Sequence, residues 1–256
     1  MQTNSEKIIS KNQIKYIRQL ELKKYRRREG VYVAEGPKVV GDLLRRYQPV
    51  AVYATEEWVK VHGSEGVMEI TDDELRRISF LQHPQQVLAL FPIPDTSTAA
   101  NLSLITYHLS LALALDGVQD PGNLGTIIRI ADWFGIDTIY CSEDTADAYN
   151  PKVVQATMGS IARVNIIYTN LLTLINNLPS SFPIYGTLLD GEDIYQQTLS
   201  HEGLIVMGNE GNGISEAIRQ KVNHTLLIPS FREGDTAESL NVAIATAITC
   251  SEFRRR

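Results

Sequence analysis

The chain has 256 residues, of which 43% are hydrophobic and 21% charged, and it contains only two cysteines. This composition is that of a globular protein with one large or two modest domains, and it excludes disordered, fibrous and disulfide-scaffold classes. The N-terminal segment has no apolar signal core, and no stretch reaches the roughly 20 apolar residues of a membrane span, so we expect a protein of the reducing cytoplasm.

The net charge of −6 is distributed unevenly along the chain. Residues 1–50 hold 12 Lys/Arg and 5 Asp/Glu, or 12 − 5 = +7, and the remainder therefore carries −13. A local basic field is what a phosphate backbone requires, although a charge run is also typical of a solvated helix face. The N-terminal third is thus a candidate nucleic-acid surface.

Residues 1–92 alternate between helical and extended patterns. We predict a helix over IKYIRQLELKKYRRR, a strand at VYVAE, a helix from Pro37 to Tyr47, and strands at VAVYAT and VMEIT. Thr71 and Glu74 form a capping-box pattern that opens another helix, and a strand at QVLALF closes this small α/β domain. A segment rich in Pro, Ser, Thr and Ala follows, so we divide the chain into a domain at 1–95, a linker at 96–106 and a domain at 107–256.

The second domain reads as a parallel-sheet α/β domain. Short apolar runs typical of strands buried on both faces alternate with amphipathic helices, and these runs are LSLALAL, TIYC, VNII, PIYG, LIVMG and HTLLIP. Ligands of such sheets bind beyond the carboxyl ends of the strands. The loops that follow the runs are therefore the candidate sites.

The first candidate loop follows Asp116 and leads into a helix near Asn123. Arg129 lies off the centre of the apolar stripe of that helix and is the only cation near it. Taken alone, Arg129 is better explained as a surface arginine of an amphipathic helix.

The second candidate loop is the glycine-rich turn in LIVMGNEGNGIS, after the fifth strand of the domain. Its glycines permit positive φ and close approach of the backbone to a ligand. The order is G-x-x-G-x-G, which is not the dinucleotide fingerprint, and no Walker A lysine follows, so a dinucleotide or nucleoside triphosphate site is disfavoured.

The third candidate loop runs from Ile228 and Pro229 to the segment ESLNV. Ser239, Leu240 and Asn241 open a final helix, and Ser239 by itself is typical of an N-cap residue.

Together, the three loops resemble the motifs of the SpoU family of RNA ribose methyltransferases. Asn123 and Arg129 match an asparagine six residues before an arginine, Gly208 to Gly213 match G-N-E-G-x-G, and Ile228 to Val242 match I-P followed by E-S-L-N-V. An intermediate match lies at Asn150 and Gly159-Ser160. In the first domain, ISKNQIKYIRQL and VAEGPKVV resemble the RNA substrate-binding domain of many members.

The resemblance implies a catalytic domain tied into a trefoil knot, an obligate homodimer formed through that domain, and S-adenosylmethionine as cofactor. The cofactor-binding residues it implies are Thr187, Leu188, Gly208, Asn209, Gly213, Ile228, Pro229 and Leu240. Those implied for catalysis are Arg129, Asn123, Glu210, Ser239 and Asn241. Arg129 would act either as a base or as an electrostatic clamp, and no metal is required.

For RNA binding we single out the basic residues Lys11, Lys15, Lys24, Arg26 and Arg27. The separate first domain favours ribosomal RNA over transfer RNA as substrate. Two other classes remain open: an RNA-binding protein of the same fold without turnover, and a nucleotide-dependent oxidoreductase. The intact motifs argue against the first, and the order of the glycines argues against the second.

Overall fold

The computed structural model of the chain describes residues 9–95, 110–232, 234 and 237–255. The chain forms two compact units, one spanning Met1–Pro94 and Asp147–Ala162, the other Asp95–Ala146 and Arg163–Arg256. The predicted linker at 96–106 lies outside the described residues. None of the helices in the described ranges is both long enough and apolar enough to cross a membrane.

In chain order the helices and strands are α1 Lys11–Gln19, α2 Lys23–Glu29, β1 Val31–Glu35, α3 Pro37–Leu44, β2 Ala51–Ala54, α4 Glu56–His62, β3 Val67–Glu69, α5 Asp72–Ile78, β4 Val87–Pro92, β5 Leu111–Asp116, α6 Pro121–Trp133, β6 Thr138–Cys141, α7 Pro151–Ala156, β7 Asn165–Tyr168, α8 Leu171–Asn176, β8 Ile184–Asp193, β9 Gly203–Gly208, α9 Glu216–Arg219, β10 His224–Leu227 and α10 Val242–Arg255. Short 3₁₀ turns lie at Ser160–Ala162 and Ile194–Gln196.

The first unit is built on a four-stranded sheet of order β1-β4-β2-β3. β4 is antiparallel to β1 and β2, while β2 and β3 are parallel, so β1, β2 and β3 end at the same edge of the sheet. Ile17, Leu20, Leu75 and Ile78 pack from the helices onto the strands in one buried cluster. The predicted capping box of α5 is present, with the Thr71 side chain accepting from the backbone of Glu74.

One prediction for this unit is wrong, and one helix was missed. The single helix expected over residues 14–28 is broken between α1 and α2, where Leu22 is extended and Leu20 is buried. The Arg26 guanidinium donates to the freed carbonyl oxygens of Leu20 (2.7 Å) and Glu21 (2.6 Å), which stabilises the break. Helix α4 was not predicted; its buried Trp58 anchors it to the unit.

The second unit confirms the predicted parallel sheet. Its order is β10-β8-β9-β5-β6-β7, and every neighbouring pair is parallel. The carboxyl ends of all six strands therefore meet at one edge, and Asp116 at the end of β5 lies directly beside Gly208 at the end of β9. The trefoil knot stays a prediction.

The start of the last helix differs from the prediction. α10 begins at Val242, and it is the Asn241 side chain, not that of Ser239, that accepts from the backbone N–H groups of Ala243 (2.9 Å) and Ile244 (3.3 Å). Asn241 therefore caps the helix.

Candidate active site

Glu210 joins the glycine-rich turn after β9 to the loop after β5. Its carboxylate accepts hydrogen bonds from the backbone N–H groups of Gln119 (3.2 Å) and Asp120 (3.1 Å) and from the Asn123 side chain (3.0 Å). Asp120 in turn caps α6 by accepting from the backbone N–H of Asn123 at 2.8 Å. One carboxylate thus fixes the start of α6 relative to the turn.

The third loop is attached through Asn241. Its side-chain amide donates to Asn123 Oδ1 at 2.9 Å, so Asn241, Asn123 and Glu210 form one continuous hydrogen-bonded chain. Partial burial raises the pKa of Glu210, but hydrogen bonds from Asn123, from its own backbone and from the loop N–H groups outweigh burial and lower the pKa below its ordinary value. The carboxylate is therefore held in its charged form.

The glycine-rich turn brings two stretches of backbone into direct contact. A side chain at Gly208 would place its Cβ 2.2 Å from the carbonyl carbon of Gly213 and 2.3 Å from the nitrogen of Ile214. Asn209 pairs with Gly213 through backbone hydrogen bonds in both directions, of 2.9 and 3.0 Å. Gly213 has a φ of +69°, which favours glycine. These glycines are therefore dictated by the tightness of the turn.

The Asn209 side chain holds the same turn from inside. Its Oδ1 accepts from the backbone N–H groups of Gly211 (2.9 Å) and Asn212 (3.0 Å), and its amide donates to the carbonyl oxygen of Gly117 at 2.7 Å. Asn209, predicted as a cofactor residue, therefore uses its side chain to shape the turn.

A cavity of about 370 Å³ opens beside these loops. Its lining comprises Thr187, Leu188, Leu189, Met207, Gly208, Asn209, Glu210, Gly211, Gly213, Leu226, Leu227, Ile228, Glu238, Ser239, Leu240, Val242 and Ala245. The lining contains every predicted cofactor residue except Pro229. Its volume is within the range of small-molecule sites.

Sequence reasoning missed several of these lining residues. Leu226 and Leu227 lie on β10 next to the predicted Ile228, and Val242 and Ala245 lie on the first turn of α10. The sequence held a signal for them: the strands of a parallel sheet end at one edge, so residues next to Ile228 at the end of β10 must lie near the ends of the neighbouring strands. Glu238, within the quoted motif, was also not assigned a role.

The ionisable side chains that line the cavity are all acidic. Its described lining holds two carboxylates, Glu210 and Glu238, and no lysine, arginine or histidine. Among the described residues there is no group of three metal-ligating side chains. The lining therefore suits an uncharged or cationic ligand with apolar surface.

Arg129 and Ser239 are not part of the hydrogen-bonded chain. Ser239 lines the cavity, whereas the side chain of Arg129 is exposed on α6 and has no hydrogen bond or ion pair within the part of the chain that the structure describes. Of the predicted catalytic residues, the structure thus brings Asn123, Glu210 and Asn241 into contact, and leaves the guanidinium of Arg129 available.

The predicted RNA-binding residues divide into two groups. Lys11, Lys15, Lys24 and Arg27 are exposed on α1 and α2. Arg26 is only 1% exposed, and besides its bonds to the helix break it donates to Asp147 at 2.6 Å. Since its guanidinium is committed inside the first unit, we leave Arg26 out of the RNA surface.

Comparisons with known proteins agree with the predicted family. Residues 110–251 match the SpoU rRNA methylase family, and residues 11–89 match the MRM3-like substrate binding domain. The chain is 30% identical over 252 residues to the 23S rRNA (guanosine(2553)-2'-O)-methyltransferase RlmP of Bacillus subtilis, which covers 96% of this chain and 97% of that protein.

Two solved structures are similar along almost the whole chain. One, from Porphyromonas gingivalis, is described as an RNA methyltransferase of the TrmH family; it is 39% identical, with a TM-score of 0.83 and coverage of 96% of this chain and 98% of that one. The other is an AdoMet-bound rRNA methyltransferase from Sinorhizobium meliloti, 29% identical, with a TM-score of 0.84 and 97% coverage of each chain.

Proposed function

The chain belongs to the SpoU rRNA methylase family, and we propose that it transfers a methyl group from S-adenosylmethionine to a ribose 2′-hydroxyl of ribosomal RNA. The observation that carries this proposal is the cavity beside β8 and the carboxyl ends of β9 and β10, which Glu210 of the hydrogen-bonded set Asn241, Asn123 and Glu210 lines. The protein is thus an RNA ribose 2′-O-methyltransferase whose three sequence motifs meet at one sheet edge.

The cavity fits the proposed cofactor in both shape and charge. Leu188, Ile228 and Leu240 offer apolar surface for the adenine, and the close approach of backbone at Gly208 leaves polar main-chain atoms at the ligand. Glu210 and Glu238 favour a positively charged sulfonium and ammonium over an anionic nucleotide. When bound, the cofactor would supply an activated methyl group.

The residues around the cavity and Arg129 would position the ribose and stabilise the charge that develops on its 2′-oxygen. In the reaction the 2′-oxygen would form a bond to the methyl carbon, the carbon–sulfur bond would break to release S-adenosylhomocysteine, and the hydroxyl proton would pass to solvent water. Asn123, Glu210 and Asn241 would hold the loops that align the ribose. Because arginine is protonated in proteins, the free guanidinium of Arg129 would stabilise the RNA phosphate and the developing alkoxide by charge.

Ribosomal RNA is favoured over transfer RNA by the first unit. Residues 11–89 match a substrate binding domain, and RlmP of B. subtilis, similar over nearly the whole chain, is named for methylation of 23S rRNA. Exposed Lys11, Lys15, Lys24 and Arg27 would provide the contacts to phosphates.

A homodimer formed through the second unit is part of the proposal. Trp133 at the end of α6 is 83% exposed and Ile244 on α10 is 53% exposed, and these two helices pack against each other. Large apolar side chains exposed on adjoining helices are typical of an interaction surface. Sedimentation equilibrium of the purified chain should give the mass of two copies, and the mass of one would remove the dimer from the proposal.

The test is methyl transfer to unmodified RNA. We expect radiolabel from S-adenosylmethionine to enter unmodified 23S rRNA but not transfer RNA, and to make one phosphodiester resistant to alkali, the mark of a 2′-O-methyl group. Arg129→Ala should lower transfer at least about 100-fold while cofactor binding by calorimetry is retained, because Arg129 does not line the cavity.

The matched control is Arg219→Ala, an arginine of the same unit that is paired with Asp190 at the surface. It should keep the transfer rate of the wild type. Cofactor binding without transfer to any RNA would favour an RNA-binding protein of this fold, and binding of NAD instead of S-adenosylhomocysteine would contradict the proposal.

A further inference from the structure

The loop between α5 and β4, residues 79–86, is held at its start by a buried carboxylate and an arginine. Glu35, at the end of β1 and 5% exposed, accepts from the backbone N–H of Phe80 at 2.9 Å and from the Ser79 hydroxyl. Arg18 of α1 donates to the carbonyl oxygen of Ser79, and its guanidinium lies 4.7 Å from the centre of the Phe80 ring. The start of the loop is therefore fixed from two sides.

The far end of the loop is held just as firmly. Gln86 has a φ of +54°, a conformation that a non-glycine residue adopts only at a cost of about 1 kcal/mol or more. Its carbonyl oxygen accepts from the backbone N–H of Thr55 at 2.8 Å, and that of Val87 accepts from Gly36 at 2.9 Å. These bonds to two neighbouring strand ends keep Gln86 in its strained conformation.

Between the two fixed ends, the tip of the loop presents free polar groups. Gln82, His83 and Gln85 are exposed, and none of their three side chains has a hydrogen-bond partner within the described part of the chain. The segment from Ser79 to Gln86 contains no Asp, Glu, Lys or Arg. Amide and imidazole groups offer both donors and acceptors, which is what recognition of base edges requires and what binding of phosphates does not.

A basic stripe leads to this tip. Lys11, Lys15 and Arg18 are spaced four and three residues apart on α1, so they lie on one face, and Arg18 at its end contacts the loop. At the same sheet edge, the first turns of α4 and α5 carry acidic residues, which repel phosphates. The first turn of α3 carries none. The side of α1 and α3 is therefore the approach to the loop that repels RNA least.

We propose that the tip formed by Gln82, His83 and Gln85 reads the bases of a single-stranded segment of the substrate RNA, while Lys11 and Lys15 of the stripe hold the adjoining phosphates. Sequence-specific recognition of RNA takes place mainly at such unpaired bases. The loop would then set which RNA is methylated. This inference rests on the proposed function, since it takes RNA as the substrate.

The experiment compares a tip variant with a stripe variant. In the tip variant, Gln82, His83 and Gln85 are replaced by alanine; we expect kcat/KM for the target RNA to fall about 10- to 100-fold, the loss typical of base contacts, with kcat at saturating RNA nearly unchanged. The salt dependence of RNA binding should stay that of the wild type. Lys11→Ala with Lys15→Ala should instead reduce the slope of log K against log salt by about 1.4.

Gln48→Ala is the matched control, because Gln48 is an exposed amide that precedes β2 at the opposite edge of the sheet. It should leave kcat/KM unchanged. A tip variant as active as the wild type on its target, or one whose kcat alone falls, would overturn the inference. If the wild type itself transfers no methyl group to any RNA, the proposed function fails, which is a separate result.

Discussion

In both units a glutamate carboxylate fixes a distant loop by accepting hydrogen bonds from its backbone; we call this arrangement the carboxylate device. In the first, Glu35 accepts from the backbone N–H of Phe80 and fixes the loop 79–86. In the second, Glu210 accepts from the backbone N–H groups of Gln119 and Asp120 and fixes the start of α6. Each is a carboxylate at or just beyond a strand end that attaches a distant loop through main-chain donors.

The two carboxylates differ in their surroundings. Glu35 is buried, and burial raises its pKa above the ordinary value against the opposing hydrogen bonds of Ser79 and Phe80 and the charge of Arg18. Glu210 is exposed beside the cavity, and its hydrogen bonds lower its pKa. The first holds its loop from inside and leaves the tip free for a ligand. The second keeps a negative charge where the proposed reaction takes place.

The largest effect should come from the turn that carries Glu210. Gly208→Ala would force a methyl group against the backbone of Gly213 and Ile214, so the turn must move and the cavity with it. We expect the dissociation constant for S-adenosylmethionine to rise at least about 100-fold in calorimetry. Circular dichroism would check that the fold is kept.

Gly211→Ala is the comparison within the same turn, because its new methyl group would meet only the Asn209 side chain at 3.6 Å. Its effect on affinity should be much smaller. Equal losses in both variants would mean that the close approach at Gly208 does not shape the cavity.

The second unit could be predicted from sequence to a large extent. Because parallel strands end at one edge, motifs after β5, β9 and β10 had to meet, and Asn123, Glu210 and Asn241 do. By itself Ser239 is typical of an N-cap residue, yet Asn241 caps the helix, because Ser and Asn are about equally good N-caps and only the geometry chooses between them.

The first unit was harder to predict, because its decisive contacts are distant in sequence. Arg26 is indistinguishable in sequence from the other cations of a basic helix, yet its partner Asp147 lies 121 residues away and its guanidinium also bonds the carbonyl oxygens at the helix break. Glu35 and Ser79 are likewise 44 residues apart. Hydrophobic periodicity carries no information on pairs so distant in sequence. The break in the helix and the fixed loop could therefore be seen only in the structure.

A smaller effect should separate the two carboxylates by function. Glu210→Ala removes three hydrogen bonds to a charged group, so kcat for methyl transfer should fall about 10- to 100-fold even at saturating RNA. Glu35→Ala frees the loop 79–86, so KM for RNA should rise several-fold while kcat and cofactor affinity stay near those of the wild type. Steady-state kinetics with both substrates varied would measure both. A fall in kcat for Glu35→Ala would show that the two devices are not independent.

The smallest effect is on the pH dependence of the free energy of unfolding, to which Glu35 and Glu210 should contribute with opposite signs. Glutamine at either position keeps the shape and removes the titration. Since the pKa of Glu35 is raised on folding, the free energy of unfolding of the wild type relative to Glu35→Gln should be largest below about pH 4 and fall as pH rises through the folded-state pKa. Since the pKa of Glu210 is lowered on folding, the free energy of unfolding of the wild type should exceed that of Glu210→Gln above about pH 4. This difference should disappear as pH falls through the folded-state pKa.

Urea denaturation at a series of pH values would measure both differences, with the fluorescence of buried Trp58 reporting the first unit. Amide protection at Phe80 and Asp120 would assign each change to its own carboxylate, because these backbone N–H groups donate to Glu35 and Glu210. If both differences in the free energy of unfolding changed in the same direction with pH, the greater burial of Glu35 would not explain how the two carboxylates differ. Opposite slopes would mean that one device has been adapted to hold a loop from inside, and the other to keep a charge at the surface of the cavity.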